Sequence, residues 1–254
     1  MFLKFICCDV FTRIACDLVA KSPHIIDIEF VPMLTHNEPE KLRSILKGVI
    51  DKSVNGSGRG YDAVLLGYGL CGNSVTGLSC PVPMIIPRAH DCCTLFMGGK
   101  EKFLAAFGGI LSARWCSTGY YERCHLVNQN RRAGMEESEV EQLALYKTSA
   151  EYMGYVDQYG EENAEYIWET MHPDIETDEA VYIKLDGYEH SGAQENYAAE
   201  IKNAGKELKT VEGDVSLLKA LIDGEWDEDR FLVVPPGKRI AGVYDMQYVM
   251  TAGD

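Results

Sequence analysis

Four side chains carry the groups best suited to chemistry: Cys8, Cys71, His90 and Cys92. Thiolate and imidazole are common soft and borderline metal ligands, and a thiol beside an imidazole is also a nucleophile–base pair. Three of the four fall in residues 67–93, GYGLCGNSVTGLSCPVPMIIPRAHDCC, where Gly67, Gly69 and Gly72 surround the first cysteine and Arg88 precedes the histidine. Glycine lets a backbone lie close to a ligand, so Gly67, Gly69 and Gly72 are the candidate cofactor-binding positions, their amides free to approach a bound anion or metal ligand. Arg88 has the planar fork that clamps a carboxylate or phosphate, and it serves equally as a salt-bridge partner for one of the many acids.

Two metal chemistries fit these residues. Cys8, Cys71, His90 and Cys92, or three of them with an open position, would hold zinc. Cys8, Cys71 and Cys92 would hold an iron–sulfur cluster, with His90 or substrate at the remaining iron. A third reading makes a cysteine a nucleophile by itself, with His90 as base and Asp91 nearby. A fourth makes Cys8 and Cys71 small buried hydrophobes. The ligands lie far apart in sequence and lack a paired CxxC signature, so only the fold can unite them. Gly67, Gly69 and Gly72 also spell GxGxxG, but a dinucleotide fingerprint follows a first strand and opens a helix, and this one follows a third strand.

The elements that must position these groups can be read from periodicity. Residues 2–7 form an apolar run rich in strand formers, and 9–20 carry Val10, Ile14, Leu18 and Val19 near helical spacing. Residues 25–31 alternate as a second strand. Asn37 and Pro39 mark a helix start, followed by the stripe Leu42, Ile45, Leu46, Val49 and Ile50. Strands are predicted at 62–66 and 83–86, and a helix over 94–107 apart from its two glycines. The order β-α-β-α-β-β-α predicts a mostly parallel sheet with flanking helices. In such sheets ligands bind beyond the carboxyl ends of the strands. Cys8 follows strand one, Cys71 follows strand three, and His90 and Cys92 follow strand four. If those strands are neighbours, the four groups meet in one crevice.

The middle reads differently. Residues 115–125 are aromatic and suggest an extended excursion over the sheet, while 135–152 and 160–171 are helical, acidic outside and tyrosine-rich. Strands then return at 180–185, 207–211 and 231–234, with helices at 193–204 and 215–221. We therefore expect an α/β protein with two Rossmann-like lobes and a helical middle segment: residues 1–112 carrying the Cys/His site, 113–175 linking, and 176–254 forming the second lobe. Tyr120, Tyr121, Tyr152, Tyr155, Tyr159 and Tyr166 either line a cleft between lobes or pack as core. Asp186 and His190, after the strand at 180–185, would face the first site across that cleft. Cys7, Cys16, Cys80, Cys116 and Cys124 are read as structural, Cys7 pointing to the opposite face from Cys8. Cys116, Cys124 and His125 form a weaker second grouping.

Composition bounds the rest. The chain has 254 residues, 46% of them hydrophobic, enough for a sizeable core. A formal net charge of −15 argues against nucleic acid as a partner, because phosphate binding needs clustered Lys and Arg. The opening MFLKFICCDVF has too short an apolar run for a signal peptide, and no stretch approaches the ~20 apolar residues of a membrane span. A cytoplasmic protein is expected, in which nine cysteines serve ligation, redox chemistry or burial before disulfides.

The chain resembles the DUF1638 family, an uncharacterised domain. The resemblance rests on Cys8-Asp9-Val10, on GYGLCGN at 67–73, on Arg88-Ala89-His90-Asp91-Cys92 with Thr94-Leu95-Phe96 after it, and on the late EGDVSLLKALIDGEWDEDRFLVVPPG. It spans most of the chain. The family's pattern has one cysteine at its first and third sites, and this chain doubles both, as Cys7-Cys8 and Cys92-Cys93. The resemblance implies carriage by methanogens and other anaerobes, often beside corrinoid-dependent methyltransferase genes, a setting that suits oxygen-sensitive thiolate chemistry or methyl-group metabolism.

Together these observations point to a zinc or iron–sulfur enzyme, a metal- or thiolate-dependent transferase or lyase, with His90, Cys92 and Arg88 as catalytic candidates. Its substrate would be small and anionic or methylated, in methyl-group or sulfur metabolism. The rival expectation is a non-catalytic small-ligand or accessory protein partnering a corrinoid methyltransferase. The corrinoid signature Asp-x-His-x-x-Gly is absent, since Asp186 is followed by Gly-Tyr and Asp91 by Cys-Cys.

Overall fold

Near-continuous apolar runs such as 2–8 and 63–67 are what a parallel strand buried on both faces requires. In the computed structural model, which describes residues 1–33, 39–56, 58–107, 114–127, 156, 160, 179–243 and 248–253, they lie at the centre of a five-stranded sheet. Strand β1 (Phe2–Cys8) leads through a 3₁₀ turn (Asp9–Phe11) into α1 (Thr12–Lys21) and then β2 (Ile25–Val31). Helix α2 (Pro39–Ile50) continues as a π-helical turn (Asp51–Asn55) before β3 (Ala63–Gly67) and β4 (Met84–Pro87).

The helix expected over 94–107 is two helices, α3 (Cys92–Phe96) and α4 (Lys100–Phe107). Gly98 and Gly99 break it at φ of +77° and +134°, and a Cβ on Gly98 would lie 2.6 Å from the Asp214 Cβ. The aromatic excursion is a short strand, β5 (Arg114–Ser117), then α5 (Thr118–Tyr121) and a π-helical turn (Glu122–Val127). The Ser117 side chain caps α5 by accepting from the Tyr120 amide. The chain resumes with β6 (Glu179–Lys184), α6 (Ala193–Asn203), β7 (Glu207–Glu212), α7 (Ser216–Asp223) and β8 (Phe231–Val234), and ends its described part in a hairpin of β9 (Arg239–Gly242) and β10 (Met250–Gly253). Asn37, the helices expected over 135–152 and 160–171 (Gly160 apart), and Tyr152, Tyr155, Tyr159 and Tyr166 lie outside the described residues.

The main sheet has the order β2-β1-β3-β4-β8, parallel except for β8, which pairs antiparallel to β4 with Met84 opposite Val234. A second, parallel sheet has the order β5-β6-β7. The architecture is thus α/β with mostly parallel sheets. Strands β5 and β6 bridge the expected linking segment and the late series, while β8 returns to the first sheet. One face of the main sheet packs against α1 and α7 in a core that also takes Val181 and Ile183 from β6. The other face packs against α2 and the hairpin, through Leu42, Leu46, Ile50, Ile240 and Met250. Among the described residues no helix is long and apolar enough to cross a membrane.

Candidate functional site

The strand order places a switch point between β1 and β3. From β1 the chain steps to β2 on one side, then places β3 on the other, so connections diverge between the carboxyl ends of β1 and β3. That divergence opens the crevice in which doubly wound sheets bind ligands. Cys8 is the last residue of β1, Gly67 the last of β3, and β4 is the next strand over.

A small cavity lies at this point. Its wall includes Cys8, Cys71 and Cys92 together with Tyr68, Tyr120 and Met33, and it is closed by Val10, Phe11, Pro32, Leu42 and Gly67. The free space within it takes about one water-sized particle. Three cysteines, one ending β1 and two from the segments that follow β3 and β4, therefore border one small, mostly apolar space. Their doubled neighbours do not. Cys7 is fully buried in the core and donates to the Gly67 carbonyl at 3.8 Å, and Cys93 is buried in the same core. The alternation of β1 sends Cys7 and Cys8 to opposite faces.

Cys71 is held in an uncommon conformation. Its φ is +46°, and Gly72 and Asn73 follow at +62° and +70°. A left-handed non-glycine residue costs on the order of 1–3 kcal/mol and persists only when its surroundings over-determine it. Here they do. The amides of Leu70 and Cys71 donate to the carbonyls of Ala89 and His90, each at 2.8 Å, and the amide of Ser74 donates back to the Cys71 carbonyl at 3.2 Å. The loop after β3 is thereby laced to the loop after β4. Gly69 permits the lacing, since a Cβ there would lie 2.7 Å from the Asp91 nitrogen and 2.8 Å from the Ala89 oxygen.

Burial dominates the electrostatics. It pushes the Cys71 thiol up to about 12, against the Gly69 amide. It raises Cys8 as well, opposed by the amides of Val10 and Asp9. It holds Cys92 well above the ordinary range, where nearby Cys71 and Cys8 further oppose ionisation. Uncharged thiols are poor nucleophiles. A bound cation inverts this balance, because a coordinating thiol is deprotonated outright. Three cysteines are donors of the type a soft or borderline metal ion takes, and among the described residues no three Cys, His, Asp or Glu are already grouped to hold one.

The other expected site residues lie elsewhere. His90 does not line the cavity; its carbonyl accepts from Cys71, and its Nε2 is buried without a partner among the described residues. Asp91 caps α3, accepting from the Thr94 amide and hydroxyl at 2.9 and 3.0 Å. Arg88 is engaged with backbone carbonyls, donating Nε to Glu228 and Nη1 to Tyr248 and Met250 at 2.8, 2.8 and 2.6 Å. Asp186 and His190 border a separate surface groove with Arg13, Asp17, Lys21 and Tyr188. Cys116 is buried beside Tyr121 and Tyr182, whereas Cys124 flanks the core of the main sheet.

The model of a family described as a protein of unknown function (DUF1638) matches residues 30–222. The chain belongs to the DUF1638 family. No curated protein and no solved structure matches it. In this DUF1638 chain the matched span includes Cys71 and Cys92 but begins after Cys8. Tyr68 is the wall residue that periodicity does not reveal. Its only sequence signal is its place between Gly67 and Gly69, immediately after a buried strand.

Proposed function

We propose that this protein is a metal-dependent enzyme in which Cys8, Cys71 and Cys92 ligate a metal centre and leave one position open for a small molecule. The observation that supports it is the cavity itself, with three thiols delivered by the carboxyl ends of β1, β3 and β4 around the divergence point of the sheet. Among the described residues no three Cys, His, Asp or Glu side chains are already grouped to hold an ion, so ligation draws the sulfurs together by side-chain rotation or a small approach of the loops. Space for about one water-sized particle favours a single ion such as zinc over an iron–sulfur cluster. An open fourth position on a three-ligand zinc is the arrangement that activates water or a substrate thiol. The reaction classes in view are transfer or lysis on a small substrate, with methyl-group or sulfur metabolism as the setting and a methyltransferase as a partner.

Metal analysis of anaerobically purified protein tests the reading. About one zinc per chain, or three to four iron with absorption near 400 nm for a cluster, is expected, with loss on Cys71→Ala or Cys92→Ala. Substoichiometric metal that these substitutions leave unchanged would sink it.

A second reading, a non-catalytic small-ligand or accessory protein, draws support from the apolar wall and from thiols that burial keeps uncharged. It predicts a metal-free protein with three cysteines that resist alkylation.

A further inference from the structure

Among the described residues the strand edges are protected unequally. An edge strand offers a row of unpaired amides and carbonyls, and proteins blunt it by shortness, proline or free charge. Strands β5 and β8 are four residues long, and β8 runs into Pro235 and Pro236. Strand β7 carries Glu207, Lys209 and Glu212 and is largely exposed. Strand β2, the edge of the main sheet beside β1, has none of these devices. It runs seven residues, IIDIEFV, without proline, lysine or arginine. Its two acids are already neutralised from within the chain. Glu29 accepts from the Lys4 ammonium at 2.6 Å, and Asp27 accepts from the Tyr61 hydroxyl at 2.7 Å and pairs with Arg59. At the start of the strand Ile25 is 70% exposed.

One contact fixes the hydrogen-bond phase of β2. The Ile25 amide donates to the Met1 carbonyl at 3.1 Å, so the odd-numbered residues of β2 turn their backbone groups to β1. The amides and carbonyls of Ile26, Ile28 and Phe30 turn outward, and among the described residues nothing bonds to them. The side chains of these three residues share one face, packed against the core that also takes α1. The outward set is symmetric about Ile28. Two such strands, antiparallel about a two-fold axis through Ile28, match Ile28 with Ile28 and Ile26 with the partner's Phe30, each pair exchanging both backbone bonds. Every side chain in those pairs is apolar. On the other face Asp27 meets the partner's Glu29, each with its own cation beside it. Centring the axis on Asp27 or Glu29 would set that carboxylate against its own copy, and would match Phe30 with His24 or Ile26 with Pro32, outside the strand.

We propose that β2 is the interface of a homodimer, pairing antiparallel with β2 of a second copy about a two-fold axis at Ile28, so that the two main sheets join into one. The occupant is a second copy because the outward hydrogen-bond set is complementary to itself, and a two-fold contact of this kind closes and leaves no free edge for growth. The strand leads directly into Pro32 and Met33 of the cavity wall, yet the proposal stands whether or not the cavity holds a metal.

The test uses the full chain without added metal, in sedimentation equilibrium and residue-resolved hydrogen exchange at a low and a high protein concentration. Wild type is expected at twice the chain mass at the high concentration. There the amides of Ile26, Ile28 and Phe30 should exchange slowly, and dilution to monomer should release them. The amides of Asp27 and Glu29, turned to β1, should stay protected at both concentrations. Ile28→Lys sets two ammonium groups face to face across the axis and should be a folded monomer throughout. Wild type that stays monomeric at high concentration overturns the proposal, as does a dimer in which the three outward amides exchange freely. Protection of those amides that persists in the monomer overturns it too, since another part of the chain would then cover the edge. A folded Ile28→Lys that dimerises as well as wild type has the same consequence. Should Ile28→Lys fail to fold, the concentration dependence of the three amides in wild type decides alone.

Discussion

The amide of Cys71 donates to the carbonyl of His90 at 2.8 Å, tying the loop that follows β3 to the loop that follows β4. The imidazole that sequence reasoning places among the ligands thus contributes its backbone to positioning a thiol. The same bond helps hold Cys71 at a φ of +46°.

That conformation makes an unusual ordering of substitutions. At position 71 glycine should be tolerated better than alanine, because glycine adopts positive φ at no steric cost. Urea unfolding of metal-free protein should show Cys71→Gly more stable than Cys71→Ala by about 1 kcal/mol. Both variants should lose bound metal.

Gly69→Ala should act on the lacing itself. The new methyl would meet backbone at 2.7 and 2.8 Å, and backbone atoms cannot swing aside as a flexible side chain would. A loss of about 1–3 kcal/mol is expected, together with loss of metal although every cysteine remains. Retained metal at wild-type stoichiometry would show that the two loops can part without opening the site.

Arg88→Gln separates a substrate clamp from a structural tie. With its guanidinium bonded to the carbonyls of Glu228, Tyr248 and Met250, its loss should lower stability by about 1–3 kcal/mol and speed hydrogen exchange around residues 228–250. Metal content should stay the same. An unchanged exchange pattern with impaired ligand binding would restore the clamp.

The buried thiols predict an alkaline limit. Their folded values are raised, to about 12 for Cys71 and in the same direction for Cys8 and Cys92, whereas an unfolded cysteine ionises near 8.5. The folded state therefore keeps protons that the unfolded state gives up. Stability is fully present below about pH 8.5 and is lost as pH climbs towards the folded values, by up to about 1.4 kcal/mol per pH unit for each thiol. The urea midpoint of metal-free protein should fall between pH 8 and 10.5, and fall less steeply in Cys71→Ala. A flat profile would mean that the thiols ionise in place.

Much of the fold was legible because buried parallel strands write long apolar runs. Residues 25–31 and 231–234 match their strands residue for residue, and the stripe from Leu42 to Ile50 lies within α2. Two features escaped for physical reasons. Strand β8 carries the same apolar signal whether it runs parallel or antiparallel, so its direction on β4 could not be read. The helix read as running over 94–107 apart from its glycines divides at Gly98, where Asp214, far along the chain, occupies the space a side chain would need. At the site, Cys8, Cys71 and Cys92 border one cavity beyond the carboxyl ends of β1, β3 and β4, and among the described residues no three Cys, His, Asp or Glu are grouped to hold a metal. The placing of His90 did not follow, because beyond the end of β4 at Pro87 no strand alternation fixes which way a side chain turns. Tyr68 was invisible, since lining a cavity is a property of the packed structure alone.

The antiparallel edge strand sets an order of events during synthesis. Strands β1 to β4 and all three thiols leave the ribosome well before Phe231–Val234, the strand that covers the open edge of β4. Until then β4 presents unpaired backbone next to the half-built site, and Arg88 lacks the carbonyls of Glu228, Tyr248 and Met250. Metal loading before release of the chain would meet a loop still untied on one side, so the nascent protein has an interval in which the thiols are present but their frame is not yet closed.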